Sequence, residues 1–314
     1  MRLSDPCRQT CTLMYTNVYA AGSYHGPAHR LRLGEESEVA AMAPPGTGRS
    51  SHPRSDEPEL DGGSLVVHYQ PIVELASRDV RLVEALARLE VGGVLLAPEH
   101  WVPSAERSGA IDEMGCTVLR VAVEELLDDG RVTRSDNLGS SGRCTESRGG
   151  PRPLGLSVNV APRQLHGRSL LECVEQLGES GIVMERLCLE ITESAIVEDA
   201  CAMQTVHALR RLGCRIAMDD FGTGYSSLHA LTELPIDVLK IDRRLVSRLP
   251  GAKARAVLAF VLELGRALGM DVVAEGVETP GQLDALLELG CRLGQGYLLG
   301  PPAPLAHTAG RVCG

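Results

Sequence analysis

The chain has 314 residues, of which 44% are hydrophobic, so it can bury a substantial core and is not disordered throughout. Its net charge of −10 argues against a general nucleic-acid or membrane-surface binder, because such proteins need excess Lys and Arg to neutralise phosphates. If the ligand is an anion, the same charge indicates that a metal ion mediates its binding. We therefore expect a globular protein with no DNA partner.

The ten cysteines indicate a reducing compartment. They are scattered from Cys7 to Cys313, with no paired CxxC spacing of the kind that binds zinc. The early run "TLMYTNVYAAG" is too polar for the core of a signal peptide, and no uninterrupted apolar run approaches the length of a membrane span. These features predict a soluble, cytoplasmic protein without a membrane span.

Two stretches of the chain lack regular periodicity. Residues 1–63 become rich in Pro, Gly, Ser and charge, which is the composition of a flexible tail. Residues 128–153 lie between a predicted helix and a predicted strand, and we interpret them as a loop insertion and not as a domain boundary. One domain is predicted over residues 64–304, followed by a short C-terminal tail over residues 305–314.

Short strands alternate with helices from Leu154 onward. Three helices end in a Leu-Gly pair, which places Gly213, Gly269 and Gly290 where a left-handed residue ends a helix. Thr279-Pro280 has the pattern of an N-cap followed by Pro at the first helical position. About seven or eight such units predict an α/β fold with a parallel sheet, and a closed (β/α)8 barrel is favoured over an open sheet.

Polar side chains stand at the predicted carboxyl ends of these strands, where barrels of this class place their chemistry. In chain order they are Glu84, Asn159, Glu190, Asp219, Asp220, Lys240, Glu275 and Gln295. A single buried acid is usually a satisfied structural group, but several acids at one barrel mouth repel one another unless cations lie among them. Oxygen donors without His or Cys favour Mg²⁺ or Mn²⁺ over zinc. The paired aspartates of "IAMDDFGTGYSSL" could therefore be shared by two ions.

Three of the polar residues have two interpretations each. Lys240 could form a salt bridge to a neighbouring acid, or it could orient a nucleophilic water and stabilise charge on phosphorus. Asp242 points to the same side of its strand as Lys240, and we interpret it as the salt-bridge partner of that lysine, with a substrate contact as the alternative. Glu278 either hydrogen-bonds a base of the substrate or caps the following helix.

Nine sequence blocks give the chain a resemblance to a known family, the EAL domain, from about Leu65 to Pro302. The blocks, in the order and approximate spacing of that family, are "YQPIVEL", "EALAR", "PEHWVPSAERSG", "SVNVAPRQL", "LEITES", "IAMDDFGTGYSSL", "LPIDVLKID", "VVAEGVET" and "GCRLGQGYLLGPP". The resemblance implies a modified TIM barrel whose first strand is antiparallel. It also implies a phosphodiesterase that hydrolyses cyclic di-GMP, a bacterial second messenger, to linear pGpG with two Mg²⁺ or Mn²⁺ ions.

The resemblance also implies a metal-binding role for six of these positions. The ligands of the first ion would be Glu84, Asn159, Glu190 and Asp219. The second ion and its water would be held by Asp219, Asp220 and Glu275. Every one of these residues is present in the chain.

The remaining roles implied by the resemblance concern water, substrate and a loop. Lys240 would contact the attacking water, and Gln295 would support the network of metal and water. Gln70 and Arg88 would contact the substrate. Glu193 would hold the DDFGTG loop in place, and in the family that loop also contributes to a dimer contact, which implies a homodimer. The regulatory input stays open, including a regulatory protein partner.

The alternative to catalysis is a silent cyclic di-GMP receptor or a protein-interaction module on the same barrel. Receptors of that kind typically lose metal-binding acids, whereas all the expected acids are present here, together with Asn159 and Lys240. An unrelated metal-dependent barrel hydrolase would explain the strand-end acids but not the nine ordered blocks. The sequence therefore favours an active phosphodiesterase.

Overall fold

The fold is taken from a computed structural model, which describes residues 63–129, 154–196, 199–221 and 228–308. Residues 1–62 of the predicted tail and residues 130–153 of the predicted insertion lie outside the described residues. Residues 222–227, which belong to the DDFGTG loop and its continuation, and residues 309–314 also lie outside them.

Nine β-strands occur in the described part of the chain. They are Ser64–Glu74 (β1), Val80–Val91 (β2), Val94–Leu96 (β3), Gly155–Asn159 (β4), Leu187–Thr192 (β5), Arg215–Phe221 (β6), Val238–Ile241 (β7), Asp271–Ala274 (β8) and Leu293–Gly294 (β9). The α-helices between and after them are Val102–Ser108 (α1), Ile111–Asp128 (α2), Ser169–Glu179 (α3), Ala200–Arg211 (α4), Leu228–Glu233 (α5), Arg243–Val246 (α6), Ala252–Leu268 (α7), Pro280–Glu288 (α8) and Leu305–Thr308 (α9).

Eight of these strands close into a barrel. The order around it is β1, β2, β4, β5, β6, β7, β8, β9 and back to β1. β1 is antiparallel to both of its neighbours, whereas the other barrel pairs are parallel. β3 is an additional strand that pairs antiparallel with β2. The predicted modified TIM barrel with an antiparallel first strand is confirmed.

A layer of small and apolar side chains fills the barrel interior, one residue from each barrel strand. This interior layer consists of Ile72, Leu82, Ser157, Cys188, Ala217, Val238, Val273 and Leu293. Side chains of a strand alternate between its two faces, so the residue two positions further toward the mouth also points inward. That residue, on the strand or directly after its end, is in each case one of the predicted site positions: Gln70, Glu84, Asn159, Glu190, Asp219, Lys240, Glu275 and Gln295.

The outward-facing strand residues pack against the helices. Leu189 and Ile191 of β5, which alternate with the inward residues, belong with Val206 of α4 to the main hydrophobic cluster and are fully buried. Burial of apolar side chains on this scale is the dominant stabilising term of such a fold. The barrel thereby gains a rigid wall that fixes the positions of its strand ends.

The predicted helix boundaries are confirmed at four places. Gly213, Gly269 and Gly290 have φ angles of 98°, 71° and 77°, the left-handed conformation that a residue with a Cβ adopts at a cost. The side chain of Thr279 accepts a hydrogen bond from the backbone N–H of Gln282, and Pro280 occupies the first turn of α8. These residues end and start helices as the sequence indicates.

The C-terminal end of the described chain differs from the predicted tail. Residues Leu305–Thr308 form α9, and the hydroxyl of Thr308 donates to the carbonyl of Tyr69 on β1 at 3.1 Å. Ala303 pairs with Tyr69 in an isolated bridge. The ordered packing onto β1 thus extends four residues past the predicted domain end.

None of the helices in the described ranges combines the length and the apolar character that crossing a bilayer requires.

Candidate active site

An open cleft lies at the carboxyl ends of the parallel strands, with about 840 Å³ of free space that includes solvent-open volume. It is lined by most of the predicted site residues, namely Gln70, Glu84, Arg88, Asn159, Asp219, Asp220, Lys240, Asp242, Glu275, Glu278 and Gln295. Glu190 lies just beneath it, with its side chain fully buried against Lys240. The strands therefore bring the predicted residues to one place, as their inward positions require.

Lys240 is the cationic centre of the cleft floor. Its side chain is 2% exposed, and its Nζ lies 2.5 Å from Glu190 Oε2 and 2.6 Å from Glu275 Oε1. Glu84 Oε2 and Asp219 Oδ1 lie farther away, at 3.6 Å and 3.5 Å. The interpretation of Lys240 as a salt-bridge residue is confirmed, and its role toward water stays a prediction.

Amide side chains hold the acid of β2. Glu84 accepts hydrogen bonds from Asn159 Nδ2 at Oε1 (2.6 Å) and from Gln295 Nε2 at Oε2 (2.6 Å). Gln295 Nε2 also donates to Gln70 Oε1 (2.9 Å), and Gln70 Nε2 donates to the carbonyl of Gly300 (3.1 Å). A network of hydrogen bonds from amide side chains therefore connects β1, β2, β4 and the end of β9, and it fixes the orientation of the Glu84 carboxylate.

A hydroxyl holds the acid of β5. Ser157 Oγ donates to Glu190 Oε1 at 2.5 Å, and both residues are 2% exposed. Sequence reasoning missed Ser157. Its position two residues before Asn159 puts both side chains on the inner face of β4, but this position alone does not indicate which group the hydroxyl contacts.

The acids and Lys240 change one another's ionisation. Burial and the charge of Glu84 raise the pKa of Glu190 to about 8 against the attraction of Lys240. Burial alone would raise the pKa of Glu84, but Lys240 and the bonds from Gln295 and Asn159 hold it below its usual range. Burial would lower the pKa of Lys240, but Asp219, Glu190 and Glu275 keep it well above its ordinary value. Glu84 is thus ionised and Lys240 charged near neutral pH, while Glu190 retains a proton.

The two aspartates of β6 are held in different ways. Asp219 Oδ1 accepts the backbone N–H of Asp220 at 2.9 Å, and Asp220 has a left-handed backbone with φ 57°. Such a conformation is uncommon for a residue with a Cβ and is found at functional sites, where the surrounding fold imposes it. Burial, together with the charges of Asp219 and Asp242, raises the pKa of Asp220 to about 7.

The predicted pairing of Asp242 with Lys240 is wrong. Asp242 Oδ1 accepts from the backbone N–H of Arg244 at 2.7 Å and from its side chain at 3.1 Å, so it caps the start of α6. The turn into α6 offers these donors immediately after the strand ends. Asp242 still lines the cleft, which leaves its substrate contact as a prediction.

Glu278 does not supply the side-chain cap of α8. Thr279 fills that role, and Gln282 Oε1 accepts the backbone N–H groups of both Glu278 and Thr279. The Glu278 side chain lines the cleft instead. A substrate contact is therefore the interpretation that remains for it.

Arg88 and six further residues complete the walls of the cleft. Arg88 Nη1 donates to the carbonyl of Ala87 at 2.8 Å, and burial lowers the pKa of its guanidinium against the charge of Glu84. The wall residues that sequence reasoning did not assign are Leu86, Pro98, Arg243, Gly276, Gly296 and Tyr297. Gly276, Gly296 and Tyr297 lie in loops, Pro98 in a short 3-10 turn and Arg243 at the start of α6, where strand alternation gives no signal. Leu86 lies within β2.

Glu193 lies outside this cleft lining. It starts the short turn after β5 and is 9% exposed. The DDFGTG loop that it is predicted to organise spans residues 219–224, and residues 222–224 of that loop lie outside the described residues. Its role stays a prediction.

The donor set suits a hard cation, although within the described ranges no group of three His, Cys, Asp or Glu side chains is arranged to hold one. We refer to Glu84, Glu190, Asp219, Asp220 and Glu275 as the strand-end acids. One ammonium faces them, so their potential negative charge exceeds the positive charge nearby. Carboxylate and amide oxygens are the ligands that Mg²⁺ and Mn²⁺ prefer. The residues present therefore fit such ions.

Comparison with known proteins gives a consistent family match. Residues 56–302 match the EAL domain family. The chain is 38% identical over 252 residues to the cyclic di-GMP phosphodiesterase NbdA of Pseudomonas aeruginosa, covering 79% of this chain and 30% of that protein. It is 34% identical over 252 residues to the cyclic di-GMP phosphodiesterase RocR of the same species, covering 79% of this chain and 60% of that protein.

A solved structure is similar in fold as well. The PaMucR phosphodiesterase in complex with c-di-GMP superposes with a TM-score of 0.66 at 35% identity, covering 77% of this chain and 93% of that chain. The alignments span only 28% to 32% of the length of four of the curated relatives, so most of each of those proteins has no counterpart in the matched region.

Proposed function

Because the chain belongs to the EAL domain family, we propose that it is an enzyme that hydrolyses one phosphodiester bond of cyclic di-GMP and releases linear pGpG. Two relatives that are named cyclic di-GMP phosphodiesterases and a related phosphodiesterase solved with c-di-GMP support this substrate. The single observation that carries the proposal is the gathering of all the strand-end acids around Lys240 at one barrel mouth.

Two Mg²⁺ or Mn²⁺ ions are the proposed cofactors. Glu84, Asn159, Glu190 and Asp219 would hold one ion, and Asp219, Asp220 and Glu275 would hold the other. When bound, the ions would polarise the phosphate and lower the pKa of the attacking water. The excess of acids over cations in the cleft supports this assignment, since like charges at such distances need neutralisation.

Lys240 is proposed to act on the water and on the charge that develops at phosphorus. Its ammonium is held from below by Glu190 and from the side by Glu275, so its position is fixed before substrate arrives. A preorganised cation in a buried setting stabilises developing negative charge more than a mobile one in water. Gln295, bonded to Glu84 and Gln70, supports the same network.

The cleft walls are proposed to hold the dinucleotide. Arg88 suits a phosphate because its guanidinium is planar and permanently charged. Gln70, which is tied to Gly300 and Gln295, presents a fixed amide at the same wall. Glu278 and Asp242 also line the cleft, and their carboxylates are proposed to accept hydrogen bonds from a guanine.

Assembly and location are part of the same proposal. A homodimer is expected from the family resemblance, with the DDFGTG loop at the contact and Glu193 holding that loop. A regulatory protein partner would act on this assembly. A cytoplasmic location is supported by the free thiols of the described cysteines, five of which are buried, since a reducing compartment keeps thiols in that state.

The test is product formation by the full chain. Purified protein is incubated with cyclic di-GMP and Mn²⁺ or Mg²⁺, and pGpG is followed by chromatography. Glu190→Gln removes a proposed ligand, and Glu113→Gln on the exposed face of α2 is the matched control. We expect pGpG from the parent and the control but not from Glu190→Gln. Binding of cyclic di-GMP without any product would instead establish the silent receptor.

A further inference from the structure

We infer that Ser157 is a positioning residue, whose hydroxyl holds the Glu190 carboxylate in the orientation that binds a divalent cation. The inference rests on the proposed function, because that function makes Glu190 a metal ligand. It adds a residue that neither the sequence blocks nor the cleft lining assigns.

Ser157 is the only alcohol in the interior layer. The other members are the apolar side chains Ile72, Leu82, Ala217, Val238, Val273 and Leu293 and the thiol of Cys188. If packing were the only requirement, an apolar residue such as Ala or Val would fill this position as well as Ser does. A buried hydroxyl without a hydrogen-bond partner is costly, so its presence here calls for a specific acceptor.

The register of the sheet supplies that acceptor. Ser157 lies opposite Glu84 on β2 and opposite Cys188 on β5, one layer below the pair Asn159 and Glu190. Its hydroxyl points up along the barrel axis and donates to Glu190 Oε1 at 2.5 Å. This distance is at the short end of the range for O–H···O hydrogen bonds, so the hydroxyl is in close contact with the Glu190 carboxyl group.

The two oxygens of Glu190 are held by different groups. Lys240 donates to Oε2 at 2.5 Å, while Ser157 donates to Oε1. Lys240 also approaches Glu275, Asp219 and Glu84, so it cannot fix Glu190 by itself. A hydroxyl has a single proton to donate, and the one of Ser157 is directed at Glu190. Together the two bonds set the plane of the carboxylate.

The hydroxyl supplies a restraint that Lys240 alone does not. Without it, Glu190 Oε1 loses the bond from Ser157, and the carboxyl group is free to rotate about its remaining bond from Lys240. Groups that orient metal ligands in this way typically change metal affinity by about 10- to 100-fold when they are removed.

The experiment measures Mn²⁺ binding to the full chain without substrate, from the electron paramagnetic resonance signal of free Mn²⁺. Ser157→Ala should weaken Mn²⁺ binding by about 10- to 100-fold. Ser157→Thr keeps the hydroxyl and should restore most of the affinity. Ser180→Ala is the matched control, because it removes a hydroxyl that bonds the carbonyl of Leu177 at 2.7 Å, far from the barrel interior.

Kinetics provide a second readout. At saturating Mn²⁺, Ser157→Ala should recover kcat and keep its KM for cyclic di-GMP within about twofold of the parent, because the defect lies in metal binding and not in substrate binding. If Ser157→Ala fails to fold, Ser157→Cys keeps a side chain of similar size with a weak donor and should weaken Mn²⁺ binding by at least about tenfold.

The inference is overturned if a folded Ser157→Ala or Ser157→Cys protein binds Mn²⁺ within about twofold of the parent. It is also overturned if the parent binds no Mn²⁺. Failure of the proposed function has a different pattern, because a parent that binds Mn²⁺ but forms no pGpG refutes the hydrolase. In that case the comparison of Mn²⁺ affinities still decides the role of Ser157.

Discussion

At the scale of single residues, the cleft is governed by an imbalance of charge. Lys240 contacts Glu190 and Glu275 at about the same distance and approaches two further acids. One buried ammonium cannot neutralise all of them, so the acids either keep protons or gather further cations. The raised pKa values of Glu190 and Asp220 correspond to the first of these outcomes, whereas Lys240 and its amide partners keep the pKa of Glu84 low.

Replacing Lys240 by Ala tests its two roles separately. We expect kcat to fall while Mn²⁺ still binds, because the ligands remain in place. The metal-free variant should lose about 3–5 kcal/mol in its free energy of unfolding, since it leaves buried acids without their partner. Denaturant titration with and without Mn²⁺ measures this, and Lys253→Ala on the exposed face of α7 is the control. Loss of Mn²⁺ binding would show that the lysine is purely structural.

Removing Asp219 tests the ligand shared by both proposed ions. Asp219→Ala should abolish formation of pGpG, because it takes a ligand from each ion at once. Glu84→Ala should have the same result through the first ion alone. The initial rate at saturating Mg²⁺ is the measurement, and more than about a tenth of the parent rate in either variant would contradict the ligand assignment.

The pH dependence of metal binding follows from the pKa of Glu190, which burial and Glu84 raise to about 8. Below that pH the metal-free acid holds a proton, and a cation must displace it to bind. Mg²⁺ affinity should therefore rise as the pH increases through about 8, and Glu275, whose pKa burial also raises, adds to the same trend. Calorimetric titration at several pH values between about 6.5 and 8.5 measures this. An affinity that is constant over the range would refute the protonated state of Glu190.

At the scale of strands and helices, the alternation of inward and outward side chains along each strand determines which residues form the site. The residue two positions from the interior layer toward the mouth lines the cleft for every barrel strand except β5, whose Glu190 lies just beneath it. On β1 this residue precedes the layer residue in the chain, because β1 is antiparallel to its neighbours. The strand-end acids were predictable for this reason. Ser157 was not, because a single Ser within an apolar strand has no distinct signal until the register shows which acid it meets.

The turns after the strands were less predictable than the strands. Alternation places Asp242 beside Lys240, yet α6 begins directly after β7 and its backbone N–H groups capture the carboxylate. The hydrogen bond between Asp242 and the start of α6 forms within three residues of the chain. It therefore prevails over a salt bridge from Asp242 to Lys240, which strand alternation alone predicts. Tyr297 and Arg243 were missed because they lie beyond the strand ends.

The start of α8 gives a test at this scale. Thr279→Ala removes the hydroxyl that accepts the backbone N–H of Gln282, and it should lower the free energy of unfolding by about 1 kcal/mol. Thr279→Ser keeps the cap and serves as the control. Urea denaturation of the full chain is the measurement. A loss that is equal in both variants would place the effect in the methyl group and not in the cap.

At the scale of the whole molecule, the sequence predicted the closed α/β barrel from its strand and helix periods, and the resemblance predicted the antiparallel first strand. The latter has no periodic signal, because β1 and β2 read as two similar apolar strands whichever way they run. The described barrel accounts for the site on its own.

The central claim is that the strand-end acids hold ions on which hydrolysis of cyclic di-GMP depends. The most direct measurement is the rate of pGpG formation by the full chain before chelation, after treatment with EDTA, and after Mg²⁺ or Mn²⁺ is added back. We expect the rate to fall to background on chelation and to return on addition of either ion. A rate that persists undiminished in EDTA would contradict the account.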